Sequence, residues 1–201
     1  MKKVILFCIS LLLVPFFGFS QTTIKFDSIS PFHEGFSALK KGKLWGFINE
    51  QGILVIDFRD DLVVTEMGNN NYPIFKNNRC LISEKKEGIR YFGYVDTTGK
   101  TVIAPQYLNA TNFAENIAIA IKVHKNIIGE NDVLKKQVVR YESSEVLINS
   151  SGEILKTLIE AKGLVLSKKY LYNAPKITSK LLGKNLLAVL RKDHKWELIK
   201  I

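Results

Sequence analysis

His33, His124 and His194 are the residues of this 201-residue chain best suited to bind a metal or to move a proton near neutral pH. None has a histidine partner three or four positions away, and there is no Cys-x-x-Cys, so the clustering that metal sites show is missing. Cys80 lies between Arg79 and Leu81 in an apolar-leaning stretch. A small buried hydrophobe is expected there rather than a nucleophile. The sequence has no Gly-x-Ser-x-Gly, no Ser-x-x-Lys with its supporting motifs and no phosphate-binding glycine loop. Asp57 or Asp60 could pair with Glu66 as an acid and base, but solvated surface charge or turn capping explains such carboxylates more simply. No catalytic, metal or cofactor residue is therefore assigned. Were the chain an enzyme after all, its site would fall in the irregular segments 122–143 or 163–185, with His124, Asp132, Glu145 and their neighbours converging.

Aromatic residues offer a second chemistry, stacking on a sugar or a peptide. Phe32, Trp45, Phe47, Phe92, Tyr94, Tyr107, Phe113 and Trp196 recur at related places along the chain. Rings repeated at one position are expected to pack between neighbouring units, because they bury large areas. Trp45 and Trp196 are the candidates for exposed binding, on condition that they fall on an outer sheet face. Paired cations such as Lys40-Lys41, Lys85-Lys86, Lys135-Lys136, Lys168-Lys169 and Arg191-Lys192 are spread along the chain, whose formal net charge is +10. They suit turns and sheet edges, where lysine discourages unwanted pairing. A nucleic-acid partner is not expected of an exported chain.

The expectation of export rests on the first residues. Met1-Lys2-Lys3 precedes an apolar run from Val4 to Phe17, followed by Gly18-Phe19-Ser20-Gln21. A cationic start, an apolar middle and small residues at −3 and −1 describe a signal peptide over residues 1–20, cleaved after Ser20. Pro15 and Gly18 interrupt the run short of the ~20 apolar residues of a spanning helix. The mature chain, residues 21–201, is expected in the periplasm or outside the cell, with no stable membrane insertion. It keeps Cys80 alone, so packing and ladder hydrogen bonds must stabilise it.

Its elements follow from a repeat. Leu44-Trp45-Gly46-Phe47-Ile48-Asn49-Glu50-Gln51-Gly52 aligns with Tyr91-Phe92-Gly93-Tyr94-Val95-Asp96-Thr97-Thr98-Gly99, and Val146-Leu147-Ile148-Asn149-Ser150-Ser151-Gly152 is a third copy lacking the first glycine. Asn or Asp opening a type I turn bonds the backbone two residues on, and a glycine three places later takes a left-handed conformation. Asn49/Gly52, Asp96/Gly99 and Asn149/Gly152 satisfy that rule, each between runs of strand composition. Upstream, Phe32-His33-Glu34-Gly35, Phe75-Lys76-Asn77-Asn78 and Phe113-Ala114-Glu115-Asn116 each place an aromatic and a polar turn before another strand. Leu187–Leu190, a turn at Lys192-Asp193-His194, and Trp196–Ile199 form a terminal unit.

Residues 93–107, continuing to Ala110, Phe113 and Glu115, resemble the WG (KWG) repeat, and Lys43-Leu44-Trp45-Gly46 carries its name-giving pair. The resemblance covers most of residues 30–155 and, more faintly, 186–201. Val146 and Glu197 stand where the family has glycine, as does Asn116 at another position. What it implies is an all-β array of short antiparallel hairpins from about four degenerate repeats, acting as a scaffold or interaction surface.

Between the units, residues 59–71 read partly as an exposed loop, 122–143 as an elongated hairpin and 153–162 as a short helix. The expected function is that of an exported non-enzymatic repeat protein presenting a β surface to a protein or glycan of the cell envelope. The alternatives are an envelope-associated hydrolase and a purely structural subunit of an envelope assembly.

Overall fold

The computed structural model describes residues 23–68, 70–131 and 135–201. Residues 1–20, expected as a signal peptide, and Asp132 lie outside them. Strands β1 (Ser28–Ile29), β2 (Phe36–Lys41), β3 (Leu44–Asn49) and β4 (Leu54–Arg59) form a four-stranded sheet in chain order. A small hairpin of β5 (Thr65–Met67) and β6 (Asn70–Tyr72) follows. Then β7 (Phe75–Lys76), β8 (Arg79–Lys86), β9 (Ile89–Val95), β10 (Thr101–Ala110), β11 (Ile117–Asn131), β12 (Lys136–Asn149) and β13 (Ile154–Leu164) form a seven-stranded sheet, again in chain order. Strands β14 (Lys180–Gly183), β15 (Leu186–Leu190) and β16 (Trp196–Lys200) close the chain as a three-stranded sheet. Every pairing is antiparallel, so the all-β array of hairpins is what forms.

One three-stranded unit recurs as β2-β3-β4, β8-β9-β10 and β11-β12-β13. Each is entered through a two-residue turn whose central residues both have positive φ: Glu34-Gly35, Asn77-Asn78 and Glu115-Asn116. That is the type I′ geometry, whose twist matches the strands it joins. Within the first two units the middle strand carries a glycine where the third strand bends across it. A Cβ on Gly46 would stand 2.8 Å from the Ile56 carbonyl oxygen, and one on Gly93 only 2.3 Å from that of Ile103. In the third unit Val146 opposes Thr157 across the ladder and its side chain is buried. Glu197 has no third strand beside it among the described residues.

The third strand also links one unit to the next. Strand β10 pairs first with β9 (Ile103↔Tyr94) and, beyond irregularities in register, with β11 (Asn109↔Ile121, Ala110↔Ala120). Residues after β4 do the same more briefly: Leu62 bridges Ile82, Val63 N–H donates to the Leu81 carbonyl, and Ser83 N–H donates to that of Asp61. Part of the segment 59–71 expected as an exposed loop is therefore strand-like, and Leu62 is buried. The reason is ladder pairing with a residue twenty positions away, which local composition does not carry.

Side chains alternate across each strand, and both faces of the middle units are covered. Cys80 and Ile82 join Phe47, Ile56 and Phe75 in a first core, while Leu81 joins Tyr94, Ile103, Tyr107, Phe113, Val146 and Ile148 in a second. Ile117, Ile119 and Leu147 turn the other way, to Leu158, Leu187 and Val189. Ring pairs Phe47–Phe75 and Tyr94–Phe113, each with centroids 4.7 Å apart, bridge successive units. The helix expected over 153–162 is corrected to strand β13. Its composition favours a helix, but the Asn149–Gly152 turn delivers it into register against β12, and burial of Leu158 outweighs propensity.

Candidate binding surface

The three turns are built alike from their first residue. Asn49 Oδ1 accepts hydrogen bonds from the backbone N–H groups of Gln51 (3.1 Å) and Ile53 (2.9 Å). Asp96 Oδ1 accepts from Thr98 (2.9 Å) and Lys100 (3.1 Å), and Asn149 Oδ1 from Ser151 (3.0 Å) and Glu153 (2.9 Å). Gly52, Gly99 and Gly152 close them at φ of +74°, +82° and +83°, the left-handed region that disfavours a side chain. The Asp96 carboxyl accepts a further bond from the Thr98 hydroxyl at 2.6 Å. That hydroxyl, the two backbone N–H groups and the nearby Arg79 hold its pKa below the usual value, partial burial opposing them.

Each later turn is docked on the unit before it. Gly99 lies against Ile56, and Gly152 against Ile103, so that a Cβ at either glycine would touch the isoleucine at 3.4 and 3.3 Å. Arg59 Nη1 donates to the Gly99 carbonyl (2.7 Å), and the Tyr107 hydroxyl donates to that of Gly152 (3.2 Å). At the other end of the strands, Asn78 N–H approaches Glu34 Oε2 at 3.4 Å and Asn116 N–H donates to Asn77 Oδ1 at 3.0 Å. The repeat-turn residues are thus occupied inside the array. They hold its surface in shape.

The residues capable of acid–base or nucleophilic work are dispersed. His33 Nε2 lies 3.2 Å from the Tyr72 hydroxyl, His124 Nε2 lies 2.8 Å from Ser144 Oγ, and His194 sits exposed in the turn before β16. Cys80 is fully buried, and burial pushes its thiol well above the ordinary range, away from the reactive thiolate. Glu145, buried on the face of β12 opposite Ser144, accepts four hydrogen bonds: Oε1 from the N–H and hydroxyl of Thr178, Oε2 from those of Ser179. It clamps the segment 163–185, which crosses the sheet as extended chain and one short 3-10 turn, Lys168–Leu171. His124 and Glu145 do not converge. Among the described residues no group of three or more His, Cys, Asp or Glu side chains is placed to hold a metal ion.

Exposed features lie elsewhere. Trp45 is half-buried against the first core, its ring beneath Lys40 Nζ at 5.7 Å, while Trp196 is 50% exposed. The largest projection is the hairpin expected over 122–143. Pairing of β11 with β10 ends at Lys122, and pairing of β12 with β13 ends at Tyr141. From Asn126↔Arg140 to Asn131↔Lys136 the two strands pair only with each other among the described residues. Both outer edges of this arm offer unpaired backbone groups, and Ile127, Ile128 and Val138 are exposed on it. The sequence makes the hairpin legible in the runs 122–125 and 137–141 on either side of the polar stretch 129–132. It carries no sign of which strands stop flanking it.

A family model described as WG containing repeat matches residues 22–45 and 92–122. Both stretches run through an incoming strand, a type I′ turn and the strand that leaves it, so the matched segments fall where the geometry repeats. Neither a curated protein nor a solved structure matches the chain.

Proposed function

We propose that this chain of WG repeats is an exported, non-enzymatic scaffold, whose β surface binds a protein or glycan of the cell envelope. One observation carries the reading: among the described residues the sheets pack on one another and a two-stranded arm projects beyond them. Along residues 126–131 and 136–140 the edges present unpaired N–H and C=O groups beside Ile127, Ile128 and Val138. An extended segment adding to either edge gains main-chain hydrogen bonds, with the apolar side chains supplying selectivity. Lys125, Lys135, Lys136 and Arg140 outnumber Glu130 and Asp132 in this stretch and favour an acidic partner. Export is read from residues 1–20.

The test compares the wild-type chain with one whose arm is shortened, residues 126–139 being replaced by Asn-Gly. Binding to fractionated envelope proteins and glycans is measured for both after confirming equal melting temperatures. The shortened chain is expected to lose the wild type's specific partner; equal retention by both overturns the reading. Mass spectrometry of the exported form should find Gln21 at its N-terminus.

A further inference from the structure

The last sheet has two apolar faces, of which one packs on a neighbour among the described residues. Leu187, Val189, Leu181 and Ile199 point into the third core. Alternation turns Trp196, Leu198, Lys180 and Lys200 outward around the small, buried Ala188, and the register sets them in rows, Lys180↔Ala188↔Leu198 and Leu190↔Trp196. Leu182, at the irregular end of β14, stands beside them. Leu182, Trp196 and Leu198 are 54%, 50% and 63% exposed. Lys180 Nζ lies over the Trp196 ring at 5.1 Å. Around this centre are the exposed Lys184, Lys192 and Lys195. Residues 176–201 carry seven lysines and arginines against two acids, Asp193 and Glu197, and Arg191 pairs with Glu197.

We propose that this outer face docks on an anionic lipid surface, with Trp196, Leu198 and Leu182 at the headgroup–acyl boundary and the lysines on lipid phosphates. Charge complementarity selects the occupant. A second copy of the chain would bring two lysine rims together. A specific acidic protein would meet only the flexible Lys180 at the centre of the face, with no fixed polar pattern to set its register. An apolar patch with a half-exposed tryptophan and long flanking lysines matches the layered chemistry of a bilayer interface, where each step of depth meets its own kind of group. The unpaired edge of β16 stays at the level of water and headgroups, since its polar groups would be unsatisfied in hydrocarbon. No helix among the described residues is long and apolar enough to cross a membrane, and this docking is peripheral. It involves a different surface from the arm and stands or falls independently of it.

The experiment uses the chain from residue 21, which holds every described strand, in the variant Trp45→Phe so that Trp196 is the lone tryptophan. Vesicles of phosphatidylglycerol with phosphatidylcholine are compared with phosphatidylcholine alone, by co-sedimentation and tryptophan emission. Binding with a blue shift is expected on the anionic vesicles only, weakening as salt is raised. Leu198→Asp, at an exposed position that leaves the fold intact, should abolish it in the otherwise wild-type chain. Lys180→Glu and Lys200→Glu should each weaken it by roughly fivefold or more. If Trp45→Phe lowers the melting temperature, co-sedimentation of the wild-type chain against Leu198→Asp decides alone. Absence of binding to anionic vesicles at low salt overturns the proposal, as does binding that Leu198→Asp leaves unchanged. Retention on immobilised polyglutamate without vesicle binding overturns it in favour of an acidic protein.

Discussion

Arg59 Nη1 hydrogen-bonds the carbonyl of Gly99 at 2.7 Å, joining the third strand of one repeat to the turn of the next. Tyr107 makes the equivalent bond to Gly152 with a phenol. Two unlike side chains thus do one job, and the second and third turns are each held by a donor from the unit before. Arg59 also forks onto Asp61, with Nε at 2.5 Å and Nη2 at 2.7 Å. Tyr107→Phe should cost about 1 kcal/mol, the usual net worth of a neutral hydrogen bond. Arg59→Ala should cost more, because it also strips Asp61 of its partner. Urea unfolding checks both, and an Arg59→Ala no more harmful than Tyr107→Phe would contradict this account.

Gly93 is the tightest point of the second unit. A methyl group there meets the Ile103 carbonyl oxygen, the Pro105 nitrogen at 2.6 Å and the Ala104 carbonyl carbon at 2.8 Å, all backbone. Since backbone cannot rotate aside, Gly93→Ala must push β10 off β9, at about 2 kcal/mol or more. At Gly52 a Cβ meets nothing within 4 Å and only its positive φ opposes substitution, so Gly52→Ala should cost about 1 kcal/mol. Equal melting temperatures for the two variants would show that β10 does not cross Gly93 so closely.

At Gly99 the φ of +82° and the contact with Ile56 act together. Gly99→Val puts a β-branched residue into the left-handed region and its methyl groups towards Ile56. Gly99→Asn keeps a residue that tolerates the conformation. The valine variant should unfold or lose the register of β9 on β10, with amide exchange accelerating at Val95 and Thr101, whereas the asparagine variant keeps most of the stability. A valine variant that melts like wild type would refute the turn.

The parts of this fold legible in sequence are those written in short-range chemistry. Asn49, Asp96 and Asn149 bend the chain through bonds to residues two and four positions on, so a nine-residue window contains the whole cause. The linkage of β10 to β11 depends on where a long strand changes partner, and no window holds both partners. Arg59 standing for Tyr107 was hidden for the same reason, since their equivalence is defined by Gly99 and Gly152 some forty residues away. Residues 153–162 misled because local helix preference is worth tenths of a kcal/mol per residue, less than a ladder and a buried Leu158. Of the binding features, Trp196 was visible as a residue type, but the free edges of the arm follow from which neighbours stop pairing.

Acid should loosen the second turn selectively. The Thr98 hydroxyl, the Thr98 and Lys100 N–H groups and Arg79 hold the folded-state pKa of Asp96 below its unfolded value. A depressed carboxyl pKa adds stability that is complete above the unfolded value, about 4, and is lost as pH falls through the folded one. Asp96→Asn retains the Oδ1 acceptor, as Asn49 and Asn149 do, without the charge. The wild-type advantage in melting temperature over this variant should therefore shrink below about pH 4. A difference that stays constant from neutral pH to pH 2 would mean that the charge contributes nothing.

Glu145 supports the sharpest prediction about the segment preceding the last sheet. Its carboxyl group is buried and meets four donors, the N–H and hydroxyl of Thr178 and of Ser179, at 2.7 to 3.1 Å. Glutamine fits the same space but turns an NH₂ towards two donors, leaving them unsatisfied in a buried site. Glu145→Gln should cost about 2 kcal/mol or more, and Glu145→Ala at least as much. The damage should be local first: amide exchange is expected to accelerate at Thr178, Ser179 and in β14 before it does in β8 and β9. If exchange instead rises uniformly over all four sheets, Glu145 is holding the whole array and not one crossing segment.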